Sequence, residues 1–430
     1  MTPDTSILVL LRVMRVGAVV FALGFVGIGA FFALGEPKGF GNGMQNVLSG
    51  SQDLFMRHNE VRMLLLGENP YRLAHAGTLK ERAVELLGPG HHMDPDYFPS
   101  TLLPVLLMAK LPFKTIKLLW LLINLGSLLL LVHTLRWFMG ANRPSPATQM
   151  HMVCLWICGI PVWSCLAMGQ ASIFSVAFTL AAFRLDFNGR HWLAGLLLSL
   201  GVFKYALIWP LVLFLFVLQW RWRCLLIGGG IHLVVHWWLC DLIDANPVAI
   251  FAEVLSCNAK VFNFNSMLTF WMPFRSWNRM FPDLALPAHL LGVLLLLGML
   301  GWLAWLWLRR KKDDRRNLLI WSAVLTLLAV LTVTSRIFAH MYALPVLLLA
   351  CAPASAAFTP FQRGRLVAFV LYLSYVPSGV DDLGLPGLVL YWMRITFNLV
   401  LAALVVDLSW LLFRVERGDF QPTKADALSD

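Results

Sequence analysis

Apolar residues fall in long runs along this chain, at about 12–34, 99–112, 116–135, 150–167, 172–187, 191–219, 224–240, 286–308, 318–335, 342–358, 365–377 and 386–413. A stretch such as Leu290–Gly298 is continuously apolar and does not alternate. Membrane β-strands are ~10-residue alternating segments, whereas a crossing helix needs ~20 mostly apolar residues. The pattern predicts an all-α integral membrane protein with about 11–13 transmembrane segments. Residues 1–413 form a single polytopic domain, interrupted by long polar loops at 35–98 and 241–284, and 414–430 is a polar tail.

Charge gives these segments a direction. The octet Arg309–Arg316 carries net +4 and belongs on the cytoplasmic side, where Lys and Arg accumulate. Counting outward, Arg221, Arg223, Arg363, Arg365 and the tail after Arg414 share that side. Loop 241–284, the turn at Ser335–His340 and residues 378–385 then lie outside. An uncleaved first helix with a cytoplasmic N-terminus places 35–98 outside as well. Parity between 99 and 219 stays open. Residues 191–219 read either as one helix broken near Lys204 or as two half-helices in a re-entrant hairpin.

Composition excludes a soluble globule. Of 430 residues, 59% are apolar and only 13% charged, against roughly 25% charged in soluble domains. Mean hydropathy is +0.72. The net charge of +11 follows from the positive-inside bias and does not imply nucleic acid. The seven cysteines lie mostly in apolar runs, so no disulfide framework is expected. Cys154 and Cys158 share a helix face and read as packing residues. Trp137, Trp192, Trp220, Trp222, Trp237, Trp238 and Trp307 flank segment ends, as an interfacial aromatic belt does.

With so few charges, ionisable residues near apolar surroundings mark candidate chemistry. Asp53 begins a segment in which Leu54, Val61 and Leu65 fall roughly on one face and Gly67 and Pro70 end the helix. This predicts an amphipathic helix on the outer membrane surface, with Asp53 either its N-cap or a functional carboxylate. Lys204 sits in the middle of an apolar run and needs an anionic partner, a protein carboxylate or a bound phosphate. Arg336 and His340 lie close together in an external turn and suit an anion site. His91, His92, Asp94 and Asp96 carry an Asp-x-Asp pattern, but Pro95 stiffens it and loops of this composition are commonly only solvated; no metal site is assigned. Asn265, in Asn263–Ser266, could hydrogen-bond a sugar or simply face water. An external carboxylate with cations at membrane depth suits transfer from a lipid phosphate: the carboxylate takes a proton from an acceptor hydroxyl, and the cations neutralise the departing phosphate.

The order of these residues resembles glycosyltransferase family 87, bacterial polytopic transferases of the C-type fold. The resemblance runs from about residue 15 to 350. It rests on Asp53 followed by Gly67-Glu-Asn69-Pro70-Tyr71, and on Tyr97-Phe-Pro99 followed by Leu119-Trp120-Leu-Leu-Ile-Asn124. It continues with Gly169-Gln170, Gly189-Arg190, Ala194-Gly195, Lys204 and Pro210, and ends with Ser335–His340 and Tyr342. The chain departs from the family pattern at Ser172, at Tyr205-Ala206 after Lys204, and at Met341 after His340.

The resemblance implies an alpha-mannosyltransferase-like activity that uses polyprenyl-phosphate-mannose and inverts the sugar. Asp53 would be the catalytic base, with Lys204, His340 and Arg336 at the donor phosphate and Asn69, Tyr71, Gln170 and Asn265 at substrate. It implies no cofactor and no metal. The partners would be membrane lipids, the lipid-linked donor and a glycolipid or glycan acceptor, at the bacterial inner membrane with the site facing the periplasm or exterior. A transporter or lipid-linked-sugar flippase is the alternative, with Lys204 neutralising a carried anion. Transporters often carry broken helices in matching halves, and the break near Lys204 has no counterpart in the C-terminal half.

Overall fold

The computed structural model describes residues 5–35, 51–91, 93, 95, 97–139, 146–261, 294, 297–299, 301–308, 320–321, 323–324, 360–375, 396, 400 and 403–414. Every regular element among them is helical, so the chain is an all-α protein. The principal helices are α1 (Thr5–Leu34), α2 (Gln52–Leu65), α3 (Pro70–Ala76), α4 (Leu79–Leu87), α5 (Phe113–Met139), α6 (Pro146–Ile157) and α7 (Ile160–Met168). They continue with α8 (Ser172–Phe187), α9 (His191–Gly201), α10 (Tyr205–Val212), α11 (Trp222–Leu242), α12 (Ala249–Val261) and α13 (Pro360–Tyr375).

Among the described residues, three helices are long and apolar enough to cross a membrane: Val16–Leu34, Phe113–Met139 and Trp222–Leu242. Large apolar side chains stand exposed on them, Leu118, Leu122 and Leu129 on α5 and Leu226, Leu233 and Trp237 on α11. That surface needs a lipid solvent. Several of the expected N-terminal segments are not long single helices. Residues 99–112 do not form a span: Pro99–Leu102 is a 3-10 turn and Leu103–Leu106 a single helical turn. Their apolar character comes from burial inside the protein, where Leu102, Leu103 and Val105 sit. Segment 150–167 is divided between α6 and α7, and α8 is short and buried on nearly all sides. The C-terminal segments lie largely outside the described residues.

Two compact units divide the chain, and each is described by itself. One comprises residues 1–26, 135–162 and 267–430. In it Cys154 and Cys158 pack on Ala22, consistent with a packing role. The Arg365 guanidinium on α13 pairs with the Asp407 carboxylate, and Trp302 and Trp305 pack against Phe413.

The other unit, residues 27–134 and 163–266, is built around α2. Leu54, Val61 and Leu64 join Trp120, Phe174, Phe203, Leu239 and Val254 in one core. The expected surface helix is therefore corrected. In α2 not only the apolar face but also Arg57, His58, Asn59 and Glu60 are buried. Arg57 and Glu60 are neighbours at i,i+3 and satisfy each other at 2.7 Å, which lets a polar sequence enter the interior.

The α9–α10 segment is two half-helices that reverse near Lys204. Val202–Lys204 forms a 3-10 turn, and the chain doubles back there as the hairpin reading requires: Lys204 lies beside Ser175, whereas His191 at the start of α9 and Arg221 beyond α10 both reach Asp186 at the far end of α8. The Lys204 amide donates to Ser175 Oγ on α8 at 3.1 Å, an outside acceptor at the break. Farther on, Leu213–Val217 is a π-helical turn following Pro210, as expected where proline removes a helical hydrogen bond. At Gly195, α9 meets α11 so closely that a Cβ would lie 2.5 Å from Ile227 Cβ. Small residues permit such backbone approach between helices in lipid.

Candidate functional site

Asp53 is placed by a fastened helix start. Ser51 is the N-cap of α2, with φ 55. Its amide donates to Ala167 O at 3.1 Å and its hydroxyl to Ala33 O at 2.9 Å. Gly169, at the end of α7, has φ +66, and a Cβ there would lie 2.9 Å from the Cβ atoms of both Leu54 and Ser51. Only glycine suits that left-handed, crowded position. The Gly169 carbonyl in turn accepts from Trp120 Nε1 at 2.8 Å. Asp53 is thus a first-turn residue and not the cap. A carboxylate there is favoured by the partial positive charge of the helix start.

The 3-10 break places Lys204 opposite this carboxylate. Its Nζ lies 3.7 Å from Asp53 Oδ2, with side-chain exposures of 11% for the lysine and 14% for the aspartate. The pair is largely shielded but not sealed. Of the two partners considered for Lys204, the protein carboxylate is present, and it is Asp53 itself. Lys204 Nζ also donates to Gln170 Oε1 at 3.5 Å, and Ser172 Oγ donates to the same oxygen at 3.3 Å. Asp53, Lys204 and Gln170 come from separate elements and meet in one place.

Tyr97 adds an aromatic floor. Its ring lies 5.7 Å from Lys204 Nζ and 4.4 Å from the Arg57 guanidinium carbon. Behind it, Tyr71 is completely buried, and its hydroxyl is within bonding distance of Glu60 Oε1 at 3.0 Å and Tyr97 O at 2.6 Å. Asn69 caps α3 by accepting from the Tyr71 and Arg72 amides, and its Nδ2 donates to Glu253 Oε2 at 3.0 Å. These contacts place Asn69 and Tyr71 in the wall that supports the pair. Sequence reasoning did not assign Arg57, Glu60, Tyr97 or Glu253. The i,i+3 spacing of Arg57 and Glu60 was a usable signal; the link from Asn69 to Glu253 spans far too much sequence to have left one.

His340, Arg336 and Asn265 lie outside the described residues, as do His92, Asp94 and Asp96. His91 is described: its ring packs beside Phe55, and its Nδ1 is 2.9 Å from Asn59 Oδ1.

His58, one turn beyond Asp53, stacks on Phe113 and donates from Nε2 to Ala109 O at 3.4 Å. Burial pushes its pKa down to about 4, with Arg62 and His91 adding to the effect and the Ala109 bond opposing it. The folded state therefore holds His58 neutral while the unfolded chain protonates it near pH 6.5. Its contribution is fully present above pH 6.5 and is lost progressively as pH falls toward 4. About 2 kcal/mol should be gone by pH 5. A thermal-unfolding series from pH 7.5 to 5 should show a falling midpoint, and His58→Gln should flatten the slope.

The sequence model of glycosyltransferase family 87 matches residues 97–333, more than half of the chain. The matched range contains Tyr97, Gln170 and Lys204, while Asp53 precedes it. No curated protein and no solved structure matches the chain.

Proposed function

The chain belongs to glycosyltransferase family 87 and is a membrane glycosyltransferase, and from that premise we propose that it transfers a sugar from a polyprenyl-phosphate donor through the Asp53–Lys204 pair. The observation that carries this reading is the 3.7 Å approach of a carboxylate and an ammonium from distant parts of the chain, both partly accessible. A lipid phosphate carries negative charge that competes with Asp53 for Lys204. Once Lys204 turns to the phosphate, Asp53 keeps its charge to draw the proton from an acceptor hydroxyl.

The acceptor oxygen then attacks the anomeric carbon on the face opposite the phosphate. The bond from that carbon to the phosphate oxygen breaks, the electron pair leaves with the phosphate, and Lys204 neutralises the charge that develops. Single displacement inverts the anomeric carbon. Gln170 holds Lys204 at the donor, with His340 and Arg336 as further cations, and the transfer needs no metal or cofactor. Asn69 and Tyr71 support the substrate-facing wall, and Asn265 contacts sugar. The family resemblance favours mannose as the sugar and a lipid or polysaccharide acceptor, outside the bacterial inner membrane.

Purified protein in detergent, given polyprenyl-phosphate-mannose and a lipid and glycan extract of its own membranes, should release free polyprenyl phosphate and glycosylate a component of the extract. Detergent removes any sealed compartment, so a flippase would leave the donor intact. Use of a nucleotide sugar but not the lipid donor would refute the proposal.

A further inference from the structure

A second charged region lies at the other end of the α9–α11 pair. We propose that the cleft where α9 and α11 begin binds the phosphate headgroup of an anionic membrane phospholipid. The cleft has a volume of about 660 Å³, and its lining includes Arg190, His191, Trp192, Trp222, Arg223 and Leu226. Arg190 and Arg223 are exposed at its edge, and Trp192, Trp222 and Leu226 present large apolar surface beside them.

Charge and location both select the occupant. The acidic residue nearby, Asp186, is only 1% exposed and is held by His191 Nδ1 at 2.6 Å and the Arg221 guanidinium at 3.5 Å. Its charge is therefore already met from within the protein, leaving Arg190 and Arg223 to face an outside anion. Guanidinium groups match phosphate oxygens in a fork geometry that ammonium groups lack. The cleft opens at the start of the membrane-spanning helix α11, the level at which tryptophan and phospholipid headgroups meet. Basic recesses between helices at that level suit anionic lipid headgroups. A soluble anion would use the arginines but leave Trp192, Trp222 and Leu226 uncovered; a phospholipid covers them with its acyl chains.

This cleft is distinct from the site of sugar transfer. Lys204 follows His191 by 13 residues of nearly continuous helix, a rise of about 20 Å. A headgroup at Arg190 and Arg223 cannot be the phosphate at Lys204, so the inference does not depend on the proposed donor.

Native mass spectrometry of the purified full-length protein, taken from bilayers of phosphatidylcholine doped with phosphatidylglycerol, tests it. Phosphatidylglycerol should be retained preferentially, and Arg190→Gln with Arg223→Gln should cut that preference about tenfold or more. Each single substitution should give part of the loss, which keeps the test decisive if the double variant folds poorly. Equal retention of the two lipids, or a preference unmoved by these substitutions, would overturn the proposal. Displacement of phosphatidylglycerol by millimolar inorganic phosphate would also overturn it, in favour of a soluble-anion site.

Discussion

Replacing Asp53 by Asn should slow sugar transfer by about 10²–10⁴-fold, the usual contribution of a general base. Asparagine keeps the size of the side chain and can still accept from a backbone amide, but it cannot take a proton at neutral pH. The helix start does not depend on the carboxylate, because Ser51 makes the bonds to Ala33 and Ala167 that fasten it. The variant should therefore elute as a monodisperse species with the thermal midpoint of the wild type to within a few degrees. Lys204 loses an ionic partner in the variant, yet it keeps Gln170 Oε1 within 3.5 Å. Loss of transfer together with loss of fold would not fit this account; loss of transfer alone would.

The largest stability effect should come from Glu60→Ala. Glu60 is 0% exposed and Arg57 3%, and the carboxylate faces both the Arg57 guanidinium and the Tyr71 hydroxyl. Removing one member of a buried ion pair costs about 3–5 kcal/mol, because the remaining charge stays out of water. The expected result is a steep drop in thermal midpoint and in the yield of folded protein. Replacing both Arg57 and Glu60 by Met should recover much of that loss, since neither charge is then stranded. Activity should not recover with it: without Arg57 the Tyr97 ring beside Lys204 loses the guanidinium packed against it at 4.4 Å. The pair thus connects the core to the site, and the double variant separates the two roles.

How far the sequence exposed this arrangement varies residue by residue. Helical membrane character was legible because long apolar runs have one physical use. Lys204 was legible as well, since a lysine in such a run requires an anion. That the anion is Asp53 was not, because their approach depends on how Gly169, Ser51 and the 3-10 turn pack, and none of these leaves a periodic signal. The sequence also misplaced α2. A helix with Arg57, His58, Asn59 and Glu60 in succession reads as a surface element when burial is inferred from polarity; pairing of Arg57 with Glu60 removes that constraint. Residues 99–112 erred in the opposite sense. Their apolar character reflects contact with protein, and hydropathy alone cannot distinguish a protein interior from lipid.

The central claim is that Asp53 and Lys204 divide the work of one transfer, proton removal by the first and phosphate binding by the second. Donor binding and single-turnover rate, measured on Asp53→Asn and Lys204→Gln in the same detergent, test that division. Asp53→Asn should bind polyprenyl-phosphate-mannose about as well as the wild type and fail to turn it over. Lys204→Gln should bind the donor about 10–100-fold more weakly, the loss expected when a charged hydrogen bond is removed. Wild-type turnover by Asp53→Asn, or wild-type donor affinity in Lys204→Gln, would contradict the account.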